Sequence, residues 1–125
     1  MKNRSLLFVV SLLWLHSCSE LLENHMNRAE QENYASPYRG LYKGNYTGHE
    51  SGTLKIEVLK SGYISLTRIS ANGTETLAIA GMVRNDGALQ SVGLPSGFVL
   101  HGNLITQSGT WKSGTQTGQW TVQKQ

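Results

Sequence analysis

The residues able to carry catalysis are few and loosely grouped. His49 and Glu50 are adjacent and are followed by Ser51, the most suggestive grouping of a proton carrier, a carboxylate and a hydroxyl. Such a pair could serve as acid and base in a hydrolase. Neighbouring residues of an extended strand point to opposite sides, so adjacency alone does not bring the side chains together. The sequence therefore favours a non-enzymatic protein, with a hydrolase using His49 and Glu50 as an alternative.

Metal and phosphate chemistry lack a recognisable motif. The histidines that could join a carboxylate as metal ligands, His49 and His101, are far apart and have no partner at the close spacing of a ligand motif. The glycines do not follow the pattern of a phosphate-binding loop or a dinucleotide fingerprint. We therefore expect no metal and no cofactor.

Four aromatic residues are candidates for ligand binding. Tyr42 and Tyr46 have the spacing that places both rings on one face of a strand, and Trp111 and Trp120 lie in the last two apolar segments. If the first and last strands are neighbours, the four rings form one patch, and such residues concentrate binding energy at interfaces. Alternatively, the tryptophans fill the core, because each ring buries a large area.

The only cysteine, Cys18, follows a segment typical of a secretory signal. Lys2 and Arg4 precede an apolar run over residues 6–15, and small or polar residues come next. The apolar run is shorter than the roughly 20 residues that a membrane-spanning helix needs. Open alternatives are an ordinary secretory signal cut near Ser17 or Cys18 and an uncleaved N-terminal helix.

The stretch Leu15-His16-Ser17-Cys18 resembles the lipobox of bacterial lipoproteins. This resemblance implies that residues 1–17 are removed as a signal peptide and that Cys18 becomes the lipid-attachment residue, carrying a diacylglyceryl group and an acylated amino terminus. Ser19, rather than aspartate, follows the cysteine, which under the enterobacterial sorting rule implies the outer membrane. More than one acyl chain gives a stable anchor.

Residues 18–38 are polar, lack glycine and end near Pro37, which predicts a lipidated tether before a folded domain at 39–125. The tether carries four acids against a single base, whereas the domain has eight bases and four acids. The whole chain has a net charge of +3, and loss of Lys2 and Arg4 reduces it to +1. This charge excludes the strongly basic class of nucleic-acid-binding proteins.

From residue 39 onward, short alternating segments are separated by glycine-bearing turns. The segment 53–60 shows the alternation of apolar and polar residues most clearly. In the segment 76–84 the same alternation predicts that Leu77, Ile79 and Val83 lie on one inner face. Turns are predicted at Ser61-Gly62, Asn72-Gly73 and Asp86-Gly87. About eight strands follow: 41–47, 53–60, 63–69, 76–84, 88–92, 98–106, one around Trp111 and one around 120–122.

These strands predict an all-β domain, an antiparallel meander that closes into an up-and-down β-barrel because closure removes exposed edges. A small open sandwich is the alternative. Gly40-Leu41-Tyr42 resembles the opening strand of lipocalin-like and avidin-like barrels, which implies architecture but no ligand residue. An eight-stranded barrel of this kind is either filled by side chains or holds one small ligand.

The sequence thus predicts a lipoprotein of the bacterial cell envelope, held on a membrane by its lipid anchor. Its barrel would be a non-enzymatic binding module for a protein, a glycan or a small apolar ligand, without a nucleic-acid partner. The alternative is an inhibitor or immunity-type lipoprotein that blocks an attacking enzyme with a loop such as Gly93 to Gly97.

Overall fold

The computed structural model describes residues 34–125, so the predicted signal peptide, Cys18 and the tether up to residue 33 lie outside the described residues. Within the described range, Ala35–Gln125 forms one compact unit made of a single antiparallel sheet. Its strands are β1 (Gly40–Gly48), β2 (Gly52–Val58), β3 (Tyr63–Ser70), β4 (Gly73–Val83), β5 (Leu89–Gln90), β6 (Val92–Gly93), β7 (Val99–Asn103), β8 (Ser108–Ser113) and β9 (Gln116–Lys124). The predicted all-β class is confirmed.

The strands pair in the order β5-β4-β3-β2-β1-β9-β8-β7-β6. The first and last strands are neighbours, since Gly44 in β1 lies opposite Leu54 of β2 and opposite Val122 of β9. Apart from this junction, each strand pairs with one next to it in sequence. This arrangement is the meander that the turn residues predict.

A kink at Ser91 brings the two ends of the sheet together. Ser91 has a positive φ of 53° and separates β5, which pairs with β4, from β6, which pairs with β7. Gly81 of β4 lies so close to the kink that a Cβ on it would be 2.7 Å from the carbonyl oxygen of Ser91. Counted as one bent strand, β5 and β6 make an eight-stranded, nearly closed barrel.

A bulge in β4 interrupts the alternation of side chains. Ile64 pairs with Gly81 and Leu66 with Leu77, so that residues 78–80 of β4 face the single residue Ser65 of β3. The extra residues rotate the chain, as β-bulges do. Ile79, which the alternation predicts to be inward, is therefore 61% exposed, and Ala80 beside it is buried. The prediction for Ile79 is wrong.

The barrel has two ends, which we name by the segments that meet there. Turns 49–51, 71–72, 94–98 and 114–115 lie at the hairpin end. The N-terminal end contains the start of β1 and the turn 59–62, and Ser36 joins it by donating its backbone N–H to the carbonyl oxygen of Lys60 at 2.8 Å. The chain preceding β1 therefore reaches the barrel at the N-terminal end.

Candidate functional site

The four aromatic candidates all lie in the core. Tyr42, Tyr46, Trp111 and Trp120 are each at most 2% exposed. Tyr46 is paired with Trp120 in the sheet, and its ring contacts Trp111 edge-on with 5.7 Å between the ring centroids. The structure thus brings the rings of strands β1, β8 and β9 together, but inside the barrel. A ligand would have to displace packed rings to reach them.

The polar atoms of both tryptophans are used within the fold. Trp111 donates its indole N–H to the carbonyl oxygen of Thr47 at 2.8 Å, and Trp120 donates to those of His101 and Thr110 at 3.0 Å each. Among residues 34–125, no buried side-chain nitrogen or oxygen lacks a hydrogen-bond partner. These indoles therefore have the hydrogen bonds expected of core tryptophans.

Close glycine contacts allow the indole rings to lie across neighbouring strands. A Cβ on Gly118 would collide with the ring of Trp111 and with the carbonyl oxygen of Thr47. On Gly102, a Cβ would be 2.8 Å from the ring of Trp120. Glycine at these positions gives the rings room that any side chain would remove.

Phe98 closes the core at the hairpin end. Its ring is fully buried, stacks on Trp111 with centroids 5.3 Å apart, and meets Tyr46 edge-on at 5.2 Å. The guanidinium carbon of Arg68 lies 4.6 Å from the centroid of the Phe98 ring. This distance is within the range of a cation–π interaction. The guanidinium of Arg68 therefore covers the aromatic cluster at the hairpin end.

Arg68 is the centre of a group of polar residues that we call the rim network: Glu50, Arg68, Glu75 and Ser96. Its two terminal nitrogens lie 3.8 Å from Glu50 Oε2 and 4.0 Å from Glu75 Oε1. Glu75 accepts two hydrogen bonds from Ser96, one from the hydroxyl at 2.6 Å and one from the backbone N–H at 3.2 Å. Strands β3 and β4 are thereby linked to the loop between β6 and β7.

That loop is a tight hairpin whose tip is exposed. Gly97 donates its N–H to the carbonyl oxygen of Leu94 at 3.0 Å, and Leu94 donates to that of Phe98 at 2.8 Å. Gly97 has a φ of 98°, which a glycine adopts without strain. Leu94 and Phe98 point into the core, whereas residues 95–97 are exposed. We call the exposed residues Pro95, Ser96 and Gly97 the hairpin tip.

His49 and Glu50 have different partners. The Nδ1 atom of His49 lies 3.0 Å from the carbonyl oxygen of Thr117, on β9. Glu50 instead accepts a hydrogen bond from the hydroxyl of Tyr46 at 3.5 Å and belongs to the rim network. The fold therefore uses the carboxylate to fix Arg68 rather than to orient the histidine.

The Tyr46 hydroxyl is kept in its neutral form. Burial raises the pKa of Tyr46 above 10.0, and the nearby Glu50 carboxylate raises it further, while Arg68 and a hydrogen bond with Ser70 act in the opposite direction. Burial also raises the pKa of Tyr42, whose hydroxyl donates to the carbonyl oxygen of Tyr38 at 2.8 Å. At neutral pH both phenols are hydrogen-bond donors and not nucleophiles.

Of the residues that the structure describes, no three His, Cys, Asp or Glu side chains are grouped so that they could hold a metal ion. No helix within 34–125 is long and apolar enough to cross a membrane. Comparisons with protein-family models, curated proteins and solved structures found no match to the chain.

Sequence reasoning did not find the rim network, although one signal for it was present. Arg68 follows Ile64 and Leu66 at the two-residue spacing of β3 and therefore stands at a core-facing position. A charged residue in that position requires a partner. Its partners, Glu50 and Glu75, lie in other elements, and only the strand pairing brings the three together.

Proposed function

We propose that this chain is a membrane-anchored lipoprotein of the bacterial cell envelope, carried on the outer membrane through Cys18. Its barrel would be a non-enzymatic binding module. The support for the anchor is the lipobox-like stretch ending at Cys18, which stands as the only cysteine directly after a signal-like segment. The polar, glycine-free composition of residues 18–38 supports a tether between the anchor and the barrel.

The observation that carries the binding role is the contrast between a filled interior and a fixed, exposed hairpin tip. Phe98 and four other large aromatic rings occupy the inside of the barrel, each at most 2% exposed. Ser96 in the tip is held by two hydrogen bonds to Glu75. A loop held in one conformation loses little entropy on binding. This favours a protein or glycan bound outside the barrel over a small apolar ligand bound within it.

An inhibitor or immunity-type lipoprotein is the second candidate function. The hairpin tip is exposed, and Leu94 and Phe98 on either side of it are buried in the core. A short loop supported in this way has the build required to enter the cleft of an attacking enzyme without rearranging. In this candidate function the tip would be the inhibitory segment.

Incorporation of labelled palmitate tests the anchor. We expect label in the wild-type chain and in Ser19→Ala, which keeps the thiol, and none in Cys18→Ala. Label that persists in Cys18→Ala, or is absent from all three chains, would contradict the lipoprotein proposal. The chain would then be sought in the culture medium as a secreted β-domain.

A photo-crosslinking amino acid placed at Pro95 tests the binding role in intact cells. The control is the same amino acid at Thr115, which is exposed in the β8–β9 turn at the same end of the barrel. We expect an adduct from position 95 that position 115 does not give. Equal adducts from both positions, or none, would contradict a role for the tip. If the adduct is an enzyme and purified chain inhibits it, the inhibitor candidate is favoured.

Two further outcomes would move the proposal to another class. A small apolar ligand that enters the core would alter the fluorescence of Trp111 and Trp120. If an apolar molecule from the cell envelope has this effect, the core and not the hairpin tip is the binding element. A hydrolase would lose its cellular phenotype on His49→Ala. We use His49 for this test because Glu50→Ala also removes a partner of Arg68.

A further inference from the structure

Two lysines face each other on the outside of the barrel. Lys43 of β1 is directly paired with Lys55 of β2, and both are exposed. The other neighbours in this row are Gln123 of β9 and Thr67 of β3, which are neutral. In the described part of the chain neither lysine forms an ion pair. Like charges in directly opposed positions destabilise a sheet, so the fold itself does not benefit from this pair.

More basic residues continue this surface towards the N-terminal end. Arg39, Lys55 and Lys60 line one open depression of about 390 Å³, whose single acidic residue is Glu57. Leu59 also lines it and is 37% exposed. We call Arg39, Lys43, Lys55, Leu59 and Lys60 the basic face. It combines positive charge with one accessible apolar side chain.

The other carboxylates of the barrel are committed elsewhere. Glu50 and Glu75 are paired with Arg68 at the hairpin end, and Asp86 lies 3.6 Å from Arg84. Of the acidic side chains in residues 34–125, Glu57 is therefore the only one on the basic face. None of the ion pairs within residues 34–125 involves Arg39, Lys43 or Lys55, so the charge of these three residues can act on an anionic partner from outside the barrel.

The basic face also lies where the chain reaches the barrel. Ser36 is hydrogen-bonded to Lys60, and Gly40 at the start of β1 pairs with Val58. A lipid attached at Cys18 would therefore tether the barrel by the end that carries this face. Tethering raises the effective concentration of a nearby surface, so weak contacts are enough to orient the barrel.

We infer that the basic face docks on an anionic lipid surface, with Arg39, Lys43, Lys55 and Lys60 near phosphate groups and Leu59 among the headgroups. This inference rests on the proposed lipid anchor for its place in the cell. It assigns the hairpin end to the side that points away from the membrane, which leaves the hairpin tip accessible to a partner.

Vesicle co-sedimentation of the full chain carrying Cys18→Ala tests this inference without any acyl chain. Vesicles of phosphatidylcholine alone measure the binding due to the apolar N-terminal run, which all variants share. We expect added phosphatidylglycerol to increase binding and rising salt to remove that increase. Lys55→Gln should lower the phosphatidylglycerol-dependent partition coefficient about fivefold, the effect of one basic residue at an anionic surface.

Lys112→Gln is the matched control, because Lys112 is an exposed lysine on β8 near the hairpin end and its loss changes the net charge equally. We expect it to lower the partition coefficient less than about twofold. Equal losses for Lys55→Gln and Lys112→Gln, or no dependence on phosphatidylglycerol, would overturn the inference. Thermal unfolding of both variants should show that each is still folded at the temperature of the assay.

The vesicle experiment and the palmitate experiment can fail independently of each other. A negative palmitate experiment would refute the lipoprotein proposal, yet the vesicle assay would still report on the basic face, since its chain is never acylated. Conversely, a palmitoylated chain whose Lys55→Gln variant binds vesicles as the wild type does would keep the anchor and refute the docking.

Discussion

The two ends of the barrel use charged residues in opposite ways. At the hairpin end, Arg68 stands between Glu50 and Glu75, so its charge is balanced and serves to hold a loop. On the basic face, which extends from the middle of β1 and β2 to the N-terminal end, Lys43 and Lys55 face each other, and among the described residues neither forms an ion pair. The charge of Arg68 thus stabilises the fold, whereas the charges of Lys43 and Lys55 do not and can instead act on a partner.

Phe98→Ala should remove the apolar support of the hairpin end. The ring is fully buried between Tyr46 and Trp111, so its loss should lower the free energy of unfolding by about 3–5 kcal/mol. Urea denaturation measures this, with Leu59→Ala on the basic face as the control that should cost far less. A loss below about 1 kcal/mol would mean that Phe98 does not support this end.

Arg68→Met should also destabilise the barrel, because it leaves Glu50 and Glu75 close together without their cation. We expect a loss of about 1–3 kcal/mol, typical of removing one partner of a largely buried polar group. Arg68→Lys keeps the charge but loses the planar guanidinium. Its free energy of unfolding should therefore lie between those of the wild type and Arg68→Met. If the denaturation curves of the wild type, Arg68→Met and Arg68→Lys coincide, the rim network contributes nothing to stability.

Alkaline pH should weaken both ends through their buried tyrosines. Burial raises the pKa of Tyr42 and Tyr46 in the folded state, so the folded chain retains protons that the unfolded chain loses. Their contribution is therefore complete below about pH 10, the pKa of an unperturbed tyrosine, and is lost as pH rises through the folded-state values. Tyr46→Phe should flatten the fall of stability above that pH.

The same titration separates the two ends. Arg68 lowers the pKa of Tyr46 but does not act on Tyr42. In Arg68→Met, ionisation of Tyr46 should shift to higher pH in an absorbance titration, with Tyr42→Phe and Tyr46→Phe identifying the two phenols. A shift in the signal assigned to Tyr42 would contradict the separation of the ends.

Lys55→Gln should have the opposite sign to Arg68→Met. Removing one of two facing lysines should raise the free energy of unfolding by about 0.2–1 kcal/mol at low salt. Lys43→Gln should do the same, and the double variant should gain little more, because either change relieves the same repulsion. A destabilised Lys55→Gln would indicate that the lysine has a structural role and would remove the contrast.

Much of the barrel could be predicted because its signals are local. Leu54, Ile56 and Val58 alternate in β2 and are all buried. The glycines of the predicted turns, Gly62, Gly73 and Gly87, all have positive φ values, the conformation that tight hairpins require. Strand period and turn chemistry depend on neighbouring residues only, so the meander follows from the sequence.

The candidate site was harder to predict because its parts are distant in sequence. Tyr46, Arg68 and Phe98 lie in three different segments, and their contacts exist only once β1, β3 and the hairpin at 94–98 meet at one end. The aromatic residues were identified from their type, but type alone leaves open whether a ring faces a ligand or the core. The structure places all four rings in the core.

By itself, the sequence determined the all-β class and the succession of antiparallel strands, since these depend on strand period and turn residues. The address implied by Cys18 stays a prediction. Tertiary structure alone decided that Ile79 turns outward, because a bulge adds residues to β4, and that Ser91 bends a strand to bring the ends of the sheet together. It also decided which charges meet. Pairing across strands places Arg68 between two carboxylates and Lys43 against Lys55, and no local pattern specifies such encounters.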